Sequence, residues 1–103
     1  MKTQKFSHSE KYAIVNILTM IMEVDTIIHP KEIEYMDSVL MDFTITADDN
    51  EHMDNMDMQM CLAVIKSMSE EKRKVAKEMF VTMATIDGFV DPREKQLLEL
   101  YSL

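Results

Sequence analysis

Residues that form tight turns are nearly absent from this sequence. One glycine and two prolines occur in 103 residues, whereas an all-β fold needs such residues at many of its turns. Methionine, which occurs 12 times, is a residue that helices accommodate well, as are leucine, isoleucine, lysine and glutamate. The chain is long enough for one hydrophobic core and too short for two. We therefore expect a single all-helical domain over residues 1–103.

Six segments of the chain begin with a capping pattern, and apolar residues recur with helical spacing in all of them except the short, acidic third, which together predicts a compact bundle of about six helices. The first segment, residues 7–24, carries so wide an apolar stripe that it predicts a central helix buried on more than one side. In the second helix, Ile33, Met36 and Leu40 are expected to face inward. A residue suited to helix initiation precedes each segment. The residues predicted to open the six helices are Ser7, His29, Thr46, Asp57, Ser69 and Asp91.

The sequence contains an internal repeat. Residues 24–32 align with residues 86–94, and the aspartate, proline and glutamate of the first copy, Asp25, Pro30 and Glu32, coincide with identical residues in the second. Both copies follow a long apolar helix and lead into a shorter one. Neither helix–turn–helix unit can bury its apolar stripe alone. We therefore expect two related halves that pack together about a pseudo-twofold axis.

The second copy of this turn resembles a known family. A long helix, the segment 87–94 (DGFVDPRE) and a shorter helix are similar to the TerB-like domains of bacterial tellurite-resistance and stress-response systems. The resemblance extends over residues 9–101, with two departures in the first copy: Thr26 replaces the expected glycine, and His29 stands where the second copy has Asp91. It implies an all-helical domain, a divalent-ion site built from the repeated acids, and a role in protein complexes near membranes or in stress systems. It does not imply an enzyme.

The repeated acidic residues have two interpretations. In the first, Gly88 ends one helix, Asp91 and Glu94 cap the next, and Asp87 is a turn residue, which capping chemistry alone explains. In the second, carboxylates from both turns converge on Ca²⁺ or Mg²⁺, because these hard cations prefer oxygen ligands. The predicted ligands are Asp25, Glu32, Asp87 and Glu94. An EF-hand is not supported, because Met83 stands where that loop needs its leading carboxylate.

The methionine-rich stretch 53–60 is the most unusual local composition. Thioethers are soft ligands that hold Cu(I), but methionines at helical spacing more often form a flexible core or an adaptable contact surface. The three histidines lack the spacing of a zinc site. Cys61 lies on an apolar helix face, and the sequence around it indicates neither the base nor the orienting group that a nucleophile needs. We therefore expect no catalytic activity.

Charge divides the chain into an acidic first half and a more basic second half. Over residues 23–60, eleven acidic residues are accompanied by Lys31 alone, whereas lysine and arginine collect over residues 66–77. The net charge of −8 disfavours binding to nucleic acids and to anionic membrane surfaces. The acidic half and the methionine-rich stretch therefore predict a surface for protein partners. The alternative function is the binding or sensing of a divalent cation.

Two further features bear on the compartment. The single cysteine, Cys61, excludes an intramolecular disulfide and with it a disulfide-stapled secreted scaffold. The first residues lack the order of a signal peptide, and no run of apolar residues is long enough to insert into a membrane. The sequence therefore predicts a cytoplasmic protein.

Overall fold

The computed structural model describes residues 6–23 and 29–86, and five α-helices account for most of them. The helices are α1 (His8–Glu23), α2 (Pro30–Asp42), α3 (Ala47–Asp54), α4 (Met58–Ser67) and α5 (Glu70–Thr85). No strand occurs within the described residues, so the all-helical prediction is confirmed for them. The predicted sixth helix lies outside the described residues, and the pseudo-twofold relation stays a prediction.

The residues predicted to open the helices do so in all five described ones. Ser7 and Glu10 form a capping box at α1: Ser7 N donates to Glu10 Oε1 over 2.7 Å, and Glu10 N donates to Ser7 Oγ over 3.2 Å. Thr46 and Asp49 form the same box at α3. Each cap satisfies backbone donors that a helix N-terminus leaves without helical partners. The other caps are His29 at α2, Asp57 at α4 and Ser69 at α5.

The first helix, α1, is the centre of the fold, because it packs against each of the other four described helices. Buried residues succeed one another around its circumference rather than along one stripe, so neighbours cover it on more than one side. The prediction of a central helix is confirmed. The buried residues of α1 are Ala13, Ile14, Val15, Ile17, Leu18 and Ile21.

The last two described helices, α4 and α5, pack on α1 and on each other. Cys61 of α4 is buried, as expected from its apolar helix face, and Ile65 is buried one turn further along. The inner face of α5 contributes Met79 and Phe80, which are among the largest fully buried side chains. Its other buried residues are Ala76, Met83 and Ala84.

The second helix, α2, presents a different face to the core than its apolar residues predict. Met36 is buried, but Ile33 is 47% exposed, so the inward orientation predicted for Ile33 is wrong. Glu32 and Val39 are buried with Met36, and this i, i+4, i+7 stripe leaves Ile33 about 100° away around the helix. The N-terminal capping box fixes this rotation, because it holds the Glu32 side chain inward. Among the described residues, no helix combines the length and the apolar character needed to cross a membrane.

Candidate functional site

The predicted cation ligand Glu32 lies among the described residues, whereas Asp25, Asp87 and Glu94 lie outside them. The Glu32 side chain is only 1% exposed, and its Oε1 accepts a hydrogen bond of 3.0 Å from the backbone N–H of His29. Glu32 therefore acts as a capping residue of α2. The convergence of the four carboxylates stays a prediction.

The burial of Glu32 is unusual for a carboxylate. Taking an ionised carboxylate out of water costs several kcal/mol unless hydrogen bonds or opposite charge compensate for it. Part of the compensation comes from the position of Glu32 in the first turn of α2, where the positive end of the helix dipole lies. Within residues 6–23 and 29–86, no group of three or more His, Cys, Asp or Glu side chains is arranged to hold a metal ion.

The outward side of α2 combines acidic and large apolar side chains. Met41 is 79% exposed, and Ile33 lies on the same side of the helix. Between and beside them are the exposed carboxylates Glu34 and Asp37. We call this surface, formed by Ile33, Glu34, Asp37 and Met41, the acidic α2 face. Exposed apolar side chains bordered by charges are typical of a protein-contact surface.

The methionine-rich stretch contributes mainly to the core. Met53 is buried, and Met56 and Met58 are partly buried against the core cluster, whereas Met60 is 48% exposed. Met60 is therefore the methionine of this stretch with the most exposed side chain. The structure thus places Met53 in the core, and the partner surface predicted for this stretch stays a prediction.

Cys61 is held inside the bundle next to this stretch. Asn16 of α1 binds both the methionine-rich stretch and the thiol: its Nδ2 donates to Met53 O over 3.0 Å and to Cys61 Sγ over 3.5 Å. Burial raises the pKa of the Cys61 thiol. A thiol that stays protonated at neutral pH is a poor nucleophile, so the surroundings of Cys61 suit packing rather than reaction.

A cluster that the sequence did not reveal joins α1 to α3. The Tyr12 hydroxyl donates to Asp49 Oδ1 over 2.5 Å, and the His52 ring stacks on the Tyr12 ring at a centroid distance of 6.0 Å. Asp49 Oδ2 also accepts from Thr46 N and Thr46 Oγ1. These donors lower the pKa of Asp49 to about 2, the Tyr12 bond being the largest cause. A carboxyl group this acidic is too weak a base for proton transfer near neutral pH.

A second surface lies on α5. Its side chains line two adjoining cavities of about 300 and 490 Å³, which share Lys74 and Lys77. Arg73 borders the smaller cavity, and Val81, 41% exposed, borders the larger one. We call this surface the basic α5 groove; its described lining is Glu70, Arg73, Lys74, Lys77, Glu78, Val81 and Thr82. The sequence indicated the basic run but not the groove.

The comparisons with known proteins locate the fold without assigning an activity. No protein-family model and no curated protein matches the sequence. The chain is similar to a solved structure of a protein of unknown function from Porphyromonas gingivalis, with a TM-score of 0.73 and 28% sequence identity. The similarity covers 97% of this chain and 84% of that chain. The two proteins therefore share a fold.

Proposed function

We propose that this protein is a non-enzymatic protein-interaction module of the TerB-like type, and that it binds a basic, amphipathic partner on the acidic α2 face. The observation that carries this proposal is the exposure of Met41 and Ile33 beside two carboxylates on one side of α2. The capping box at the start of α2 holds Glu32 inward and leaves Ile33 on the exposed side of the helix. A partner that covers the face removes this apolar surface from water.

The two kinds of side chain on the acidic α2 face have different roles in binding. Burial of Ile33 and Met41 supplies affinity, since complete burial of one such side chain is worth about 1.5–3 kcal/mol. Glu34 and Asp37 select the partner, because charges at the rim of an interface steer the encounter and exclude partners of like charge. The net charge of −8 favours a basic partner for the same reason.

Two other observations support the TerB-like assignment and its setting. The described helix α1, of 16 residues, precedes the shorter α2, of 13 residues, which is the order of helix lengths that the resemblance implies for the first half. Cys61 is a free, buried thiol, which is the ordinary state of cysteine in a reducing compartment. We place the module in the bacterial cytoplasm, in a stress-response or tellurite-resistance complex.

Site-specific crosslinking in cells tests this function. A photo-reactive residue replaces Met41 in one variant and Met60 in another, since both methionines are exposed. We expect position 41 to crosslink to a basic protein and position 60 to crosslink weakly or not at all. Adding Glu34→Lys and Asp37→Lys to the position-41 variant should abolish the crosslink.

A matched control uses two exposed acids of α3, Glu51 and Asp54, which have the same spacing as Glu34 and Asp37. The pair Glu51→Lys and Asp54→Lys changes the net charge equally but leaves the acidic α2 face intact, so the crosslink should persist. Equal crosslinking from positions 41 and 60, or a crosslink that survives reversal of the α2 charges, would rule out the acidic α2 face as the docking surface.

The burial of Glu32 favours a second candidate function. We propose that Asp25, Glu32, Asp87 and Glu94 bind Ca²⁺ or Mg²⁺ between the two repeated turns. A carboxylate held 1% exposed at the first turn is a group whose negative charge a divalent cation would offset, and oxygen ligands suit both ions. The same ion would relieve the mutual repulsion of four neighbouring acids.

Thermal unfolding with and without the ions tests the cation site. Stability should rise with ion concentration as RT ln(1 + [L]/Kd), which gives about 2.7 kcal/mol at a concentration near 100 times Kd. The gain should be absent in the Asp87→Asn, Glu94→Gln variant. Sodium chloride at matched ionic strength is the control, because it supplies general screening without a site. Equal stabilisation by sodium chloride and calcium chloride would rule out the proposed cation site.

A further inference from the structure

The outward sides of α2 and α5 carry stripes of the same spacing and opposite charge. On α2 the stripe is Glu34, Asp37 and Met41, and on α5 it is Lys74, Lys77 and Val81. In both, the second residue follows the first by three positions and the third follows by four more. All six side chains are exposed.

We propose that the acidic α2 face of one molecule packs, in parallel, along the basic α5 groove of a second copy of this chain. The inference rests on the proposed function, since it names a partner for the acidic α2 face. Residues spaced by three and then four positions lie on one side of a helix. Two parallel helices in this register therefore present each residue of one stripe to its counterpart on the other.

The register pairs unlike charges and joins apolar groups. Glu34 faces Lys74, and Asp37 faces Lys77. Met41 then meets Val81 and enters the cavity of about 490 Å³ that Val81 borders. The flexible thioether side chain of methionine suits an irregular cavity of this kind. Each stripe extends over about 10 Å of helix, at 1.5 Å per residue.

A second copy of this chain is the partner that the opposite charges of the two stripes favour. Both stripes are exposed in the single molecule, and among the described residues no ion pair joins Glu34 or Asp37 to Lys74 or Lys77, so the charges of both stripes are available to a second copy. The contact uses different surfaces on the two partners, and it therefore leaves one α2 face and one α5 groove exposed at the ends of an open chain. A small interface between molecules of net charge −8 forms weakly, so assembly depends on concentration.

Analytical ultracentrifugation of the purified protein, from micromolar to millimolar concentration, tests the contact. The weight-average mass of the wild type should rise above that of the monomer as concentration increases. The α2 variant, Glu34→Lys with Asp37→Lys, and the groove variant, Lys74→Glu with Lys77→Glu, should each remain monomeric. An equimolar mixture of the two variants should associate again, because opposite charges then face each other at both surfaces. Such recovery also shows that both variants are folded.

The control for net charge is Glu51→Lys with Asp54→Lys, which should associate like the wild type. The inference is overturned by a wild type that stays monomeric at millimolar concentration, by loss of association in the control, or by a mixture that stays monomeric. A monomeric wild type whose position 41 still crosslinks to a basic protein of different sequence overturns the inference and leaves the proposed function standing. If both charge-reversal variants associate as the wild type does, and position 41 forms no crosslink, the inference and the proposed function are both overturned.

Discussion

The hydroxyl of Tyr12, on the central helix α1, donates a hydrogen bond to the carboxylate of Asp49, on the short helix α3. The same carboxylate closes the capping box of α3, because it accepts bonds of 2.8 and 2.9 Å from Thr46 N and Thr46 Oγ1. One side chain therefore both opens α3 and fixes that helix to the centre of the fold. The ionised form of Asp49 is the form that accepts all three bonds.

Removing the Tyr12 hydroxyl should raise the pKa of Asp49. In the wild type this pKa is about 2, below the ordinary aspartate value of 3.8, chiefly because of the Tyr12 bond. In Tyr12→Phe we expect it to move toward 3.8, while the Thr46 bonds keep it somewhat lower. Titration of the side-chain carboxyl carbon by NMR measures both values. An unchanged pKa in Tyr12→Phe would contradict this account of the shift.

The lowered pKa of Asp49 also predicts how stability depends on pH. Because folding lowers this pKa, the ionised carboxylate stabilises the fold fully above the unfolded value of 3.8, and the contribution is lost as the pH falls toward about 2. Urea unfolding between pH 5 and 2 should show this loss in the wild type and less of it in Asp49→Asn. The exposed neighbour Asp48 supplies the control, and Asp48→Asn should keep the wild-type slope.

Core and cap substitutions should differ in cost. Ile17 and Met79 are fully buried, so Ile17→Ala and Met79→Ala should each lower the free energy of unfolding by about 2–5 kcal/mol. Asp57 Oδ1 accepts a hydrogen bond of 2.8 Å from Met60 N at the start of α4, and Asp57→Ala should cost about 1 kcal/mol. Chemical denaturation ranks the three variants. A cap variant less stable than both core variants would contradict the assigned faces.

The sequence predicted the features of this fold that depend on neighbouring residues. Capping boxes such as Ser7–Glu10 involve residues three apart, and the buried faces of α1 and α5 follow from helical spacing alone. Chemistry within one or two turns decides both features. The order of the five described helices followed directly from them.

The features that the sequence missed depend on contacts between distant segments. Tyr12 and Asp49 are 37 positions apart, and no local pattern indicates their pairing. The rotation of α2 also differs from the prediction. The apolar character of Ile33 predicts that it faces inward, but the capping box places the Glu32 side chain on the inward side instead. The basic α5 groove depends on the shape of the folded surface, and a run of basic residues in the sequence does not specify that shape.

Exposure predicts the order in which the methionines oxidise. Met41 is 79% exposed and Met60 48% exposed, whereas Met79 and Met83 are each 1% exposed. Of these four methionines, mild treatment with hydrogen peroxide should therefore convert Met41 first and Met60 next, and leave the buried pair intact while the protein is folded. Peptide mass spectrometry measures the sulfoxide at each site. In urea the four rates should become similar, and a folded-state order led by Met79 or Met83 would contradict the assigned burial.

The turn after α2 holds a residue whose backbone favours glycine. Thr44 has a φ of 55°, and the bonds around it are those of a helix-ending Schellman motif: Thr44 N donates to Met41 O over 3.1 Å, and Ile45 N donates to Leu40 O over 3.0 Å. Glycine is the usual residue at this position, because a side chain with a Cβ is disfavoured at positive φ by about 1–2 kcal/mol. A β-branched threonine is a rarer occupant still.

Thr44→Gly should therefore stabilise the protein. The relief of strain exceeds the entropy that glycine adds to the unfolded chain, so we expect a net gain of about 1 kcal/mol in the free energy of unfolding, and a smaller gain for Thr44→Asn. Ser38→Gly is the control, because Ser38 is exposed within the regular part of α2 and glycine there should lower stability by roughly 0.5 kcal/mol. Urea denaturation at neutral pH measures all three. If Thr44→Gly were as destabilising as Ser38→Gly, the left-handed turn that ends α2 would be wrong.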